Sequence, residues 1–248
     1  MACGSVASRG GAGGIVLAGA AGVGKSRLAR EVVDHARRAQ RPCHWLYATA
    51  SARSVPFGVF AQFASSFGAD PLRRVHEVIT ALTADEPGLA TVVGVDDAHL
   101  LDEQSALVVH QLVQREAATV VVTMRNGEPA PDAVTSLYKD LGIPRLDVQP
   151  LSAIDVAALL EEVLNGDVEA ASAQRLWRYT RGNVLYLCQL LDDELAHGKL
   201  SQRSGIWVWT GAPEVSPRLT DLIESNFVRQ HSAVIDVIDV VAVADPLA

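Results

Sequence analysis

Gly19, Gly24, Lys25 and Ser26 stand at the spacing G-x-x-x-x-G-K-[ST]. Residues of these types at this spacing can hold an oxyanion. Gly19, Gly22 and Gly24 permit positive φ and a close approach of backbone to ligand. Successive N–H groups then form an anion-binding nest, and a helix starting just after them adds unpaired donors and a partial positive charge. The candidate phosphate-binding run is Gly19, Ala20, Ala21, Gly22, Val23, Gly24, Lys25, Ser26 and Arg27. Lys25 is expected to reach β- and γ-phosphates as a point charge, and the Ser26 hydroxyl to ligate Mg²⁺. In 248 residues of average usage the full pattern arises by chance about once in a hundred chains.

A second set of groups completes the chemistry. Thr91 to Val95 is an apolar run ending in Asp96 and Asp97, the Walker B form. Asp96 is expected to hold Mg²⁺, directly or through water. Asp97 is expected to orient or deprotonate an attacking water, with capping of the next turn as its structural alternative. Val120 to Val122 lead into Thr123, Met124 and Arg125. This strand is expected beside the acidic one, with Arg125 on the γ-phosphate or else on the surface, and Thr123 bonding the attacking water. His99, just past the acids, reads as a loop-packing residue rather than a base.

These side chains need a parallel sheet to carry them. Ile15 to Ala18 reads as a buried strand, and Arg27 to Ala39 as a helix with Leu28, Val32, Val33 and Ala36 on one face. Cys43 to Ala48 reads as a second strand. Ser54-Val55-Pro56 is expected to open a helix with Phe57, Phe60, Phe63 and Phe67 along one side, and Pro71 to Leu82 to form another. Asp85 to Gly88 is a turn, and Leu89 to Val95 suits a strand buried on both faces. Asp102 caps a helix to about Glu116, Ala118 to Thr123 is a strand, Asp132 to Leu141 a helix and Arg145 to Val148 a last strand. The alternation predicts an α/β fold, a P-loop NTPase core with a parallel sheet flanked by helices. From Leu151 the pattern turns helical. Ser152 caps a helix with Val156, Leu159, Leu160 and Val163 on one face, followed by helices over Val168 to Thr180 and Val184 to His197. Ile206 to Trp209 suggests a hairpin strand, and Trp177, Trp207 and Trp209 are expected to pack these parts. Arg218 to Arg229 and Ala233 to Val243 read as further helices. The expected organisation is a nucleotide-binding core over 1–150, an all-helical lid over 151–200, and over 201–248 a hairpin plus helices opening a further, winged-helix-like unit.

Composition narrows the function. A net charge of −8 argues against nonspecific nucleic-acid binding, which needs clustered Lys and Arg. Arg37-Arg38 and Arg73-Arg74 read as solvated helix faces. Cys3, Cys43 and Cys188 are far apart and lack metal spacing, which points to a reducing cytoplasm. The N-terminus has no signal-peptide pattern, and Ala233 to Ala244 is too short and too interrupted by acids to span a bilayer.

Val95-Asp96-Asp97-Ala98-His99-Leu100-Leu101-Asp102, Thr123-Met124-Arg125, Pro150-Leu151-Ser152, Arg181-Gly182-Asn183-Val184-Leu185-Tyr186-Leu187 and Gly205-Ile206-Trp207 occur in that order. Together they resemble the ATPase module of large LuxR-type transcriptional regulators, the group of the maltose-regulon activator within the STAND branch of AAA+-like P-loop NTPases. The resemblance runs from about Gly14 to Leu247. It implies a nucleotide switch: ADP holds a closed form, an inducer and ATP favour an open, self-associating form, and slow hydrolysis resets it. ATP or ADP and Mg²⁺ are the implied cofactors. Binding to DNA is implied only for a C-terminal domain absent from this chain. The chain departs from the family in starting almost at the P-loop strand, in reading Gly182-Asn183-Val184 where the family has Gly-x-Pro, and in stopping at Leu247-Ala248, which suggests a fragment or a shortened protein. Two rivals stand beside this reading: a non-hydrolysing interaction module, and a phosphotransferase on the same core, against which the Asp pair and the lack of an acceptor pocket argue.

Overall fold

The structure, a computed structural model, describes residues 13–63, 71–84 and 90–211. It divides into two compact units, one of residues 13–20 and 24–149, the other of residues 21–23 and 150–211.

The first unit holds β1 (Gly14–Gly19), α1 (Lys25–Arg38), β2 (Cys43–Tyr47), α2 (Pro71–Thr83), β3 (Thr91–Asp96), α3 (Glu103–Gln114), β4 (Ala118–Arg125), α4 (Asp132–Lys139) and β5 (Arg145–Asp147). Among the described residues the strands form one parallel sheet in the order β2-β3-β4-β1-β5. Every residue of β3 is buried, as a central strand covered on both faces requires. Alternation divides the covering. Leu17, Val92 and Val121 pack with Ala29 and Val33 of α1, while Val16, Val93, Val95, Val120 and Val122 pack with Val78, Val109, Leu112 and Leu137 of α2, α3 and α4. Each fully buried Val or Leu contributes about 1.5–3 kcal/mol. Gly94 interrupts the valines of β3 because Trp45, its register partner on β2, lies across it; a Cβ there would sit 2.4 Å from the indole.

The first helix begins at Lys25 rather than Arg27 and buries Ala29, Val33 and Ala36, with Leu28 and Val32 half-buried beside them. The helix expected from Ser54 does not form. Ala52–Ser54 and Gly58–Phe63 are short 3-10 turns, and Phe57 between them sits at φ 58. The cause is Asp102. Its carboxylate accepts the Phe57 and Gly58 N–H groups at 3.0 and 3.2 Å while capping α3 through the N–H groups of Gln104 and Ser105 and the Ser105 hydroxyl. Phe57 and Phe60 are buried as expected; Phe67 lies outside the described residues, as do Cys3 and the turn from Asp85.

The second unit holds α5 (Ala153–Leu164), α6 (Ala170–Thr180), α7 (Val184–Ala196) and a hairpin of β6 (Leu200–Arg203) and β7 (Ile206–Trp209). Ser152 and Asp155 form a reciprocal capping box on α5, and its hydrogen bonds hold the Asp155 carboxyl below the usual range. The buried stripe is Val156, Leu160 and Leu164; Val163, expected on it, is 60% exposed. Helix α6 starts at Ala170, not Val168, because Asp167 and Glu169 exchange backbone bonds with Trp207 as a strand would. Leu200 and Trp209 of the hairpin share the core of Leu160, Leu176 and Leu187. Asn183 caps α7 through the Leu185 and Tyr186 N–H groups, and its amide donates to the Ala21 carbonyl at 2.8 Å. The segments 218–229 and 233–243 lie outside the described residues. No helix among the described residues is long and apolar enough to cross a membrane.

Asp102→Ala is expected to destabilise the protein by about 2–4 kcal/mol, since it removes a cap and strands buried N–H donors. Urea denaturation checks this; a loss below about 0.5 kcal/mol would show that the carboxylate does not organise the loop.

Candidate nucleotide-binding site

The carboxyl ends of β1, β3 and β4 lie at one edge of the sheet, since all the strands are parallel. Register sets Gly19 beside Arg125. Between β1 and α1 the chain turns through Gly22 at φ 78 and Gly24 at φ 98, a region only glycine enters without strain. Gly19, at φ 159, is close to extended backbone, so its place in the pattern is not explained by left-handed geometry. Gly24 is the N-cap of α1; no side chain caps this helix and its first turn carries no acid. The N–H donors of the loop and first turn therefore have no protein anion among the described residues.

Lys25 is buried, and its Nζ donates to the Ala20 carbonyl at 2.6 Å. Burial lowers its pKa from the ordinary lysine range, and Arg125 pushes the same way; Asp97, Asp96 and Glu128 oppose them. Among the described residues Nζ forms no ion pair. Ser26 Oγ donates to Asp96 Oδ1 at 2.7 Å, and Thr123 Oγ1 donates to the same oxygen at 2.6 Å. One carboxylate oxygen thus joins the start of α1 to the ends of β3 and β4. A hydroxyl and a carboxylate side by side are hard oxygen donors, the set that suits Mg²⁺. Arg27, the last residue of the expected run, turns outward and pairs with Glu31 at 2.8 Å, its side chain 82% exposed.

Asp97 takes a left-handed conformation at φ 53 and ψ 46, and its N–H donates to Thr123 Oγ1 at 2.8 Å. Its side chain caps nothing; Oδ1 lies 3.9 Å from Arg125 Nε and 3.9 Å from His99 Nδ1. Thr123 is fully buried, with its hydroxyl proton on Asp96 and the Asp97 N–H on its oxygen. Its hydroxyl orients the two acids, a different job from the expected contact with water.

Glu128 escaped the sequence reading, and His99, read as a loop-packing residue, has polar neighbours that reading did not foresee. His99 is fully buried, as a packing residue would be, yet its ring faces Asp97 and Glu128. Nε2 is 3.1 Å from Glu128 Oε2 without forming a hydrogen bond to it, and among the described residues neither ring nitrogen has a hydrogen-bond partner. Burial, joined by Arg125 and Lys25, lowers the His99 pKa against the opposing pull of Asp97 and Glu128, which favours the neutral ring. Glu128 stands three residues past Arg125 and meets its Nη1 at 3.3 Å. Gly127, at φ 78 just after the strand end, was the available signal that the chain turns back here.

Thr123→Val keeps the shape and removes both hydroxyl bonds. It is expected to cost about 1–3 kcal/mol, because the Asp97 N–H is left unpaired and Asp96 loses a donor. Chemical denaturation measures this, and a neutral result would show that the hydroxyl does not hold the acids.

Residues 8–129 match the family described as AAA domain. Among solved structures the chain is similar to the Aeropyrum pernix Orc1 protein in a complex with DNA, at 17% identity and a TM-score of 0.54, over 77% of this chain and 56% of that one. It is also similar to a DNA replication initiation factor, at 14% identity and a TM-score of 0.54, over 75% of this chain and 56% of that one. The chain spans little more than half the length of either. No curated protein matches it. Residues 8–129 are thus matched by the AAA domain family, and the five-stranded parallel sheet with its flanking helices is a P-loop NTPase fold.

Proposed function

We propose that the chain is an ATP-binding, slowly hydrolysing nucleotide switch of the LuxR-type regulator kind. The observation that carries the nucleotide part is the buried Lys25 ammonium, which lacks an ion pair among the described residues and stands in a loop of uncapped N–H donors. A buried ammonium with nearby carboxylates but no direct ion pair is incompletely compensated, and a polyphosphate tail supplies the direct partner. Lys25 and the N–H groups of Gly19 to Ser26 bind the phosphates. Ser26 and Asp96 hold Mg²⁺, whose charge offsets that of the phosphates. Asp97 orients the attacking water, Arg125 senses the γ-phosphate, and Thr123 acts through the two acids it orients.

The regulator part rests on the ordered motifs from Val95 to Trp207. ATP and ADP shift such a switch only if they bind its two states unequally. Lys25, Arg125 and Mg²⁺ at the γ-phosphate are the source of that inequality. Self-association in the ATP state and an inducer are the implied partners, with DNA left to a further domain and no membrane involved. The acidic net charge agrees with leaving DNA to another domain.

Lys25→Ala is expected to weaken ATP and ADP binding by at least about 30-fold in calorimetry, with the melting transition retained. Undiminished affinity would remove Lys25 from the site. Wild-type protein that binds neither nucleotide would replace this function by a plain interaction module, and phosphate transfer to an added acceptor rather than to water would make it a phosphotransferase. Asp97→Asn is expected to bind ATP within about threefold of wild type while turnover falls about 10²–10⁴-fold. Unchanged phosphate release would exclude Asp97 from the chemistry.

A further inference from the structure

Arg125 is already engaged. Its Nη1 lies 3.3 Å from Glu128 Oε1, and its Nε lies 3.9 Å from Asp97 Oδ1. Side chains of Arg125 and Glu128 are 22% and 29% exposed, so the pair is only partly screened by water. Glu128 reaches this place because Gly127 reverses the chain directly after β4. A Cβ on Gly127 would meet nothing within 4 Å, so the glycine serves the turn and not a tight contact. The other oxygen of Glu128 faces His99, a buried ring with two nitrogens that lack hydrogen bonds among the described residues.

We propose that Glu128 is a positioning residue that holds Arg125 in reserve and thereby sets the preference between ATP and ADP. This rests on the nucleotide reading above. ADP has no γ-phosphate and leaves the Arg125–Glu128 pair intact. ATP offers Arg125 a more highly charged anion, and Arg125 reaches it only by giving up Glu128. The released carboxylate has a ready neighbour in His99, whose Nε2 is 3.1 Å from Oε2 and lacks a hydrogen bond in the present arrangement. On this reading the segment has two arrangements, Glu128 shared between Arg125 and His99, as in the present structure, or Glu128 on His99 alone. Only the triphosphate favours the second, as a switch requires.

Calorimetry of the whole chain with Mg²⁺, using ADP and a hydrolysis-resistant imido analogue of ATP, tests this. Glu128→Gln keeps the size and polarity of the side chain and removes its charge. It is expected to tighten the ATP analogue about 5–30-fold and to change ADP affinity less than about twofold. In an Arg125→Ala background the same substitution is expected to give less than about a twofold gain, since the effect runs through Arg125. Should Glu128→Gln fail to fold, Glu128→Asp, which withdraws the carboxylate by one methylene, must move the ratio the same way by a smaller factor. Equal tightening of both nucleotides, an unchanged ratio, or a full gain without Arg125 overturns the role of Glu128 and leaves nucleotide binding standing. Wild-type protein that binds neither ligand overturns both.

Discussion

Asp96 Oδ1 accepts two hydroxyl protons, from Ser26 at 2.7 Å and from Thr123 at 2.6 Å. Bonds of this charge-assisted kind contribute about 1.5–3 kcal/mol each when sheltered from water. Their larger effect is geometric. Ser26 belongs to the first turn of α1, Asp96 ends β3 and Thr123 lies in β4, so one oxygen fixes a helix start against two strand ends. The sheet alone leaves that helix free to slide along its apolar contacts, because burial has no direction. The paired hydroxyls remove the freedom. Thr123 then accepts the N–H of Asp97 and holds that residue in a left-handed conformation, which costs about 1 kcal/mol for a side chain bearing a Cβ. The turn takes Asp97 out of the strand's alternation and brings its carboxylate toward Arg125 and His99.

The charges gathered there constrain the ligand. Lys25 and Arg125 face Asp96, Asp97 and Glu128, and burial favours the neutral form of His99. Three carboxylates against two cations make the cluster anionic by one charge. A bare triphosphate is repelled by such a site, whereas one that brings a divalent cation is not. Burial lowers the Lys25 pKa, while Asp97, Asp96 and Glu128 all act against that desolvation.

The α/β alternation and the chemistry-bearing loop were legible because both depend on neighbours in sequence. Near-continuous valines in β3 and β4 reflect burial on two faces, and Asp102 and Ser152 cap helices that start at the next residue. What escaped depends on residues far apart. The Phe57 backbone is set by a carboxylate 45 positions away, so the phenylalanine spacing suggested a helix that does not form. Val163 was placed on the buried stripe of α5 by periodicity alone, but the packing of this helix ends on Leu164 instead. His99 and Glu128 meet only after β3 and β4 are paired, and a histidine and a glutamate in separate loops give no local sign of it. Arg27 was included because it follows the motif directly, yet the helical turn carries its side chain outward.

The start of α1 bears on how the loop is held. Asp102, Ser152 and Asn183 each cap a helix with a side-chain oxygen, while α1, like α4 and α6, starts with no such cap, and in α1 the residue at that place is a glycine in the left-handed region. A cap there would satisfy the donors permanently and exclude an anion from them. Lys25 follows the same logic. A carboxylate partner would hold its ammonium strongly, but the Ala20 carbonyl is a neutral acceptor that a phosphate outcompetes. The loop therefore rests on weak, replaceable bonds at the positions a ligand would take. Its strong bonds, those of Asp96, lie beneath it where no exchange is needed. The strong bonds and the replaceable ones thus fall on different atoms.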